Sequence, residues 1–167
     1  METPGPIAGI DEVGRGPLAG PVLAAAVILE RENFPIELQG AVRDSKTLSA
    51  KRRQEVLKAL LPYSCIGIGA ASVREIDRFN ILNATLLAMA RAVRALEFKP
   101  MLALVDGNQA PKLICPVRIV VGGDGISLSI AAASIVAKVM RDKLMTQLSQ
   151  RYPEYGWERN AGYGTTA

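Results

Sequence analysis

Four carboxylates stand where this chain could do chemistry: Asp11 and Glu12 in IAGIDEVG, Asp106 in LALVDGN and Asp124 in VVGGDGIS. Each aspartate closes a short apolar run, just before or within a glycine-bearing break, the pattern of a strand that stops at a turn. A single aspartate in such a place is commonly a turn or helix cap bonding nearby amides. Three of them, with Glu12 beside the first, suggest more than capping. Like charges gathered at one sheet edge repel, and partly buried carboxylates without a counter-charge are costly, so the set calls for a cation. The sequence has no histidine, which removes an imidazole base and the Ser-His-Asp and Cys-His nucleophile systems. Cys65 and Cys115 stand far apart, without the spacing of a zinc site. Oxygen donors alone favour Mg²⁺ or Mn²⁺, and four carboxylates can hold two such ions ~3.5–4 Å apart for in-line displacement at phosphorus. Phosphodiester chemistry is the leading reading of these residues.

The elements that must bring these acids together follow from periodicity. Ile7–Val13 and Val22–Leu29 are β-rich runs separated by GRGPLAGP, which predicts neighbouring antiparallel strands joined by a turn. A loop is expected through Asn33–Thr47. Ser49 can cap a helix over roughly Ala50–Leu61, stopped by Pro62, and Cys65–Ala71 reads as a third strand. Ser72 can cap a short helix to about Phe79, and Leu82, Leu86, Met89, Val93 and Leu96 have the spacing of an amphipathic helix over Ile81–Leu96. MLALVDGN and VRIVV supply two more strands, and Ser127 or Ser129 starts a long helix to about Ser149, rich in small residues that permit close packing.

Strands first, then helices alternating with strands, predict an α/β fold with a mixed five-stranded sheet flanked by helices, and such sheets place ligands beyond strand ends. Consecutive strand residues point to opposite faces, so Asp11 and Glu12 cannot both serve one site on a regular strand. The strand is expected to depart from regularity with the help of Gly14 and Gly16, or Glu12 to reach the site from the far side.

The chain has 167 residues with 49% hydrophobic and 22% charged, which suits one domain with a full core, spanning 1–167. No stretch approaches the ~20 apolar residues of a membrane span, and no basic flank precedes a signal-like core. A cytoplasmic protein with reduced, structural cysteines is expected. A net charge of +4 favours an anionic partner only mildly. Basic residues gather at Arg43, Lys46, Lys51, Arg52 and Arg53, and again at Arg141, Lys143, Arg151 and Arg159. Neither glycine-rich stretch continues into the Lys-Ser/Thr of a phosphate-binding P-loop. Asp142 reads as a surface partner of Lys138, and Tyr155 and Trp157 as a packed cover over the core.

IAGIDEVGRGPLAGPV, DSKTLS, EIDRFNI, LVDGN and GGDGISLSIAAASIVAKVMRD, in that order, resemble the bacterial type 2 ribonuclease H family, ribonuclease HII, over about Ile7 to Thr165. GRG at Gly14–Gly16 rather than GKG separates the chain from the sister type 3 enzymes, which carry an extra N-terminal domain. The resemblance implies a ribonuclease H-like fold that cuts the RNA strand of RNA–DNA hybrids and nicks DNA duplexes 5′ of an embedded ribonucleotide, leaving 3′-hydroxyl and 5′-phosphate ends. It implies that Asp11, Glu12, Asp106 and Asp124 bind two Mg²⁺ or Mn²⁺ ions, one orienting and deprotonating water, the other stabilising the leaving 3′-oxygen. By the same resemblance Gly14, Arg15 and Gly16 contact the ribose 2′-hydroxyl, and Tyr163 packs on the sugar of the following deoxynucleotide. Ser45 and Lys46 fit contacts to backbone phosphates. A monomer is expected.

The tail departs from the family pattern KGYGTKxH: Ala161 takes the first lysine's position, Thr166 the second's, and the chain stops at Ala167. The expectation is a domain shortened at its C-terminus, with an intact metal site and weaker substrate binding. Two other readings stay open on these residues, a hybrid-binding module with reduced or no turnover and a transposase- or resolvase-like nuclease on the same fold.

Overall fold

The two leading apolar runs form strands β1 (Ile7–Val13) and β2 (Val22–Leu29), antiparallel as expected, with Ala8 opposite Ile28 and Val13 opposite Leu23. The computed structural model describes residues 5–164. Strand β3 (Ser64–Ala71) pairs antiparallel with the outer edge of β2, while β4 (Leu102–Asp106) and β5 (Val117–Val120) add in parallel beyond β1. The resulting order, β3-β2-β1-β4-β5, is the mixed five-stranded sheet that the alternation of elements predicts. It puts the strand that carries Asp11 and Glu12 at the centre.

Helices cover both faces. On one, Ala8, Ile10, Ala24 and Ala26 pack against Ala84, Ala88, Ala92 and Val93 of α3 (Val73–Arg94). On the other, Ala25 and Val27 meet Ala131–Ala133, Ile135 and Val136 of α4 (Leu128–Arg151), joined by Val42 of α1 (Ile36–Arg43) and by Val56 and Leu60 of α2 (Ala50–Leu60). Strand β2 is therefore buried on both faces, which is why it reads as an unbroken apolar run. Each fully buried Val, Leu or Ile contributes roughly 1.5–3 kcal/mol, so this double burial is what fixes the centre of the sheet. Helix α4 lies so close to β1 that a Cβ on Gly9 would overlap the main chain of Ser129 and Ile130.

Helix starts follow their caps. Ser49 accepts from Arg52 N at 3.2 Å, and Ser72 and Glu75 form a reciprocal capping box at the head of α3. Ser127, one of two candidates, caps α4. The two helices expected either side of Asn80 are joined across a kink there, with φ 70° and ψ 168°, and Asn80 Oδ1 accepts from Asn83 N at 3.0 Å to start the second.

Helix α1 lies where a loop was expected. It holds Gly40 and has no side-chain cap, so little in its sequence announces it; burial of Val42 against the α4 side of the sheet carries it instead. Cys65 and Cys115 are free thiols. Among the described residues, no helix is long and apolar enough to cross a membrane. Tyr155 and Trp157 stack on each other at 4.9 Å, with Tyr152 edge-on to Trp157 at 5.8 Å; neither hydrophobic cluster includes them, so they do not cover the core as expected.

Candidate active site at the carboxyl ends of the central strands

Parallel pairing brings the first two aspartates together. Ile10 of β1 lies beside Val105 of β4, so the next step along both strands sets Asp11 beside Asp106. Strand β4 then stops, and Asp106 lies opposite Val120, the last residue of β5. The turn after β5, Gly123–Gly125, carries Asp124 and is tied back to β4 by Gly123 N–H, which donates to Asp106 Oδ1 at 2.8 Å. Three segments distant in sequence thus deliver three aspartates to one end of the sheet.

Glu12 reaches the same place by one of the two routes the sequence left open. Strand β1 stays regular against β2 through Val13, so the expected distortion does not occur and the alternative, approach of Glu12 from the far side, is the one left. Its other edge has no partner beyond Ile10, however, so Glu12 stands at an open margin. Its carboxyl group acts directly on that of Asp11, and both sense Asp106.

Crowding sets the electrostatics. Asp11 is only 8% exposed. Burial first, then the Glu12 and Asp106 carboxylates, push its carboxyl up to about 8, against the opposing pull of Glu12 N–H, 2.8 Å from Oδ1, and of the Ser134 hydroxyl. Burial also raises Glu12, while Arg15, 3.6 Å away, holds it down. Asp124 is buried but paired: the exposed Lys46 donates to its Oδ2 at 2.8 Å. That bond and the pull of Asp124, with Asp106 and Asp11 beyond it, raise the Lys46 ammonium above its ordinary value.

Among the described residues, no three carboxylates converge on one point closely enough to ligate an ion as they stand. Local partners explain this. Asp11 Oδ1 is taken by Glu12 N, Asp106 Oδ1 by Gly107 N and Gly123 N, and Asp124 Oδ2 by Lys46. The donor set is nonetheless all oxygen, anionic and short of positive charge at Asp11, which fits hard divalent cations and not zinc. For these acids to share an ion, their side chains would have to rotate away from those partners.

The glycine-bearing loop leaves β1 at Gly14, whose φ of +102° no other residue type adopts easily, and runs past Tyr163. A Cβ on Gly16 would sit 3.8 Å from Tyr163 Cε1, so the loop and the tyrosine form one surface. Arg15 is exposed on it. Ser45 is buried at the start of a short turn, and with Glu12, Lys46, Arg53, Ser134 and Lys138 it lines a cleft of about 140 Å³. Of the predicted tail positions, Ala161 is described and Thr166 and Ala167 lie outside the described residues.

Three residues of α4 belong to this neighbourhood and were not singled out as site residues. Ser134 faces Asp11, Lys138 lies 5.6 Å from the Tyr163 ring centroid while pairing with Asp142 at 2.8 Å as expected, and Arg141 lies beneath Tyr163 at 5.9 Å. Their i, i+4, i+7 spacing is the available signal: one polar stripe through the mostly apolar N-terminal part of the helix. Arg141 also corrects the basic cluster to which it was assigned, because it is wholly buried and presents no charge to solvent.

The family model described as Ribonuclease HII matches residues 8–167. The chain is 62% identical over 168 residues to the ribonuclease HII of Granulibacter bethesdensis, covering 99% of this chain and 77% of that one. It is 60% identical over 165 residues to that of Paramagnetospirillum magneticum, covering 99% and 82%. Among solved structures, ribonuclease H2 from Pyrococcus horikoshii OT3 superimposes with a TM-score of 0.81 at 28% identity, covering 96% of this chain and 81% of that one.

Proposed function

The chain belongs to the ribonuclease HII family of metal-dependent endonucleases, and from that premise we propose that Asp11, Glu12, Asp106 and Asp124 hold its divalent ions. It is an endoribonuclease that acts on RNA–DNA hybrids. Its finer activity in this reading is to nick DNA duplexes on the 5′ side of an embedded ribonucleotide, leaving 3′-hydroxyl and 5′-phosphate ends.

One observation carries the assignment of the acids. Asp11 is pushed up to about 8 by burial and by Glu12 and Asp106, a local shortage of positive charge that two Mg²⁺ or Mn²⁺ ions would relieve. Bound ions supply activation of water and charge stabilisation at phosphorus. For its part the protein gives up the Asp11 proton and releases Asp124 from Lys46, leaving that lysine free for a backbone phosphate beside Ser45. Gly14 and Gly16 let main-chain groups approach the ribose 2′-hydroxyl beside Arg15, and Tyr163 packs on the next sugar. The two hydrophobic clusters share one sheet, which supports a single domain. One copy of the chain carries every group named, which supports a monomer, and two free thiols fit a reducing cytoplasm.

The test is cleavage of a duplex with one ribonucleotide beside an all-DNA duplex, with Mg²⁺ or Mn²⁺ and then with chelator. Ribose-dependent nicking that chelation stops and Asp11→Asn abolishes is expected. Binding without nicking would leave only a hybrid-binding module.

A further inference from the structure

Arg141 is the largest fully buried side chain among the described residues, with 0% exposure, and no carboxylate is in salt-bridge contact with it among them. Three main-chain carbonyls take up its guanidinium instead: Pro21 O from Nε at 3.1 Å, Ala19 O from Nη2 at 2.8 Å and Ala161 O from Nη1 at 2.7 Å. A buried cation is tolerated only when its donors are met, and an apolar side chain of similar length would avoid the desolvation altogether. What the fork of a guanidinium adds is geometry, since it fixes several acceptors at set angles.

The acceptors belong to two pieces of chain. Ala19 and Pro21 lie in the loop that begins at Gly14, and Ala161 lies two residues before Tyr163. Leu18 N, from that loop, donates to Gly162 O at 2.8 Å, a second tie between the same pieces. Packing around the guanidinium leaves no slack. A Cβ on Gly14 would stand 2.6 Å from Arg141 Nε, and one on Gly162 would stand 2.6 Å from Ala19 O. Gly14 and Gly162 both have positive φ, so neither position accepts a larger residue easily.

We propose that Arg141 is a positioning residue for sugar recognition: it holds the Gly14–Pro21 loop and the Ala161–Tyr163 segment at a fixed separation, so that ribose and the following deoxyribose are read together. This rests on the reading of Gly14–Gly16 and Tyr163 as the sugar contacts. A duplex with a single ribonucleotide demands both contacts at once at its RNA-to-DNA junction, whereas a continuous hybrid offers ribose on both sides of every bond. Loosening the separation therefore penalises the junction substrate more.

Arg141→Lys keeps the charge and loses the fork; Arg141→Met loses both. For each, thermal unfolding, exchange of the Leu18 amide, and kcat and KM on the two substrates are measured with saturating Mn²⁺, beside Tyr163→Ala. The expected result is that kcat/KM on the single-ribonucleotide duplex falls about ten-fold further than on the hybrid. Faster Leu18 exchange should accompany it, with Lys recovering part of what Met loses. An equal fall on both substrates, unchanged Leu18 protection, or failure of both variants to fold would make Arg141 a stability residue only and overturn the proposal. If Tyr163→Ala itself leaves the substrate ratio unchanged, the reading of the sugar contacts fails. If Tyr163→Ala shifts the ratio and the Arg141 variants do not, the positioning role fails alone.

Discussion

Asp11 is the residue on which charge and fold compete most directly. Its folded pKa, about 8 and raised chiefly by burial, lies above the ordinary value of 3.8. Between those limits the folded chain holds a proton that the unfolded chain has released, so stability without metal falls as pH rises and levels off above about 8. The loss is on the order of a few kcal/mol. Removing the titration should remove that slope. Asp11→Asn, melted without metal at pH 8, is expected to unfold several degrees higher than the parent, at about 2–4 °C per kcal/mol for a chain of this size, and to lose cleavage entirely. An unchanged melting temperature would mean that the crowding is not felt in solution. Lys46 offers the complementary case, because its charge serves Asp124 and, in the proposed function, passes to a phosphate once released. Lys46→Ala should weaken hybrid binding and lower the slope of log affinity against log salt by about 0.7–0.9, leaving ribose selectivity alone. Titrations at several salt concentrations measure it.

At the scale of elements, helix α4 does most to bring site and core together. Its small residues let it approach β1 at Gly9, and the same approach delivers Ser134, Lys138 and Arg141 to the carboxylates and the glycine loop. Gly9→Ala should push the head of α4 away from the sheet. It is expected to cost about 1–3 kcal/mol of stability and to lower cleavage as well, as denaturant melts and kinetics on one preparation would register. Ser72→Ala, at the distant capping box of α3, should cost about 1 kcal/mol and leave kcat unchanged, a contrast that separates packing near the site from stability at large. These elements also mark what could be read from sequence. The strands were legible because β1 and β2 are apolar runs bounded by glycine and proline, and the helices at Ser49, Ser72 and Ser127 because their caps are local. Helix α1 was not, since only its contacts in the folded molecule sustain it. The acids could be picked out by type and by place at strand ends. Which of the two routes open to Glu12 is taken could not, because its freedom comes from where β4 stops pairing. Arg141 was misread for a similar reason: in VMRDK it belongs to a charged run, and two of its acceptors lie 120 and 122 positions away.

Across the whole molecule the charge is uneven in a way that the net +4 conceals. The carboxylates lie at the sheet's end, while a cavity of about 820 Å³ between α2, α4 and α5 (Trp157–Asn160) is lined by Lys58, Lys138, Lys143 and Arg159, with Asp142 and Glu158 beside them as the partners of Lys138 and Arg159. The two places adjoin, since Lys138 borders the cleft beside Glu12 as well as this cavity, which Tyr163 also lines. A duplex whose scissile bond lay over the acids would carry its phosphates toward those cations, where long-range attraction acts on charge and not on base identity. Lys143→Ala combined with Arg159→Ala should therefore weaken binding of single-ribonucleotide duplex and continuous hybrid by the same factor. Two lost phosphate contacts would lower the salt slope by about 1.4–1.8, with kcat at saturating substrate preserved. Neither residue touches Asp11, Asp106 or Asp124, so a fall in kcat would mean that the cavity helps set the scissile phosphate rather than only gathering the duplex. Unchanged affinity would instead turn the duplex away from α5, along a path on the far side of the acids.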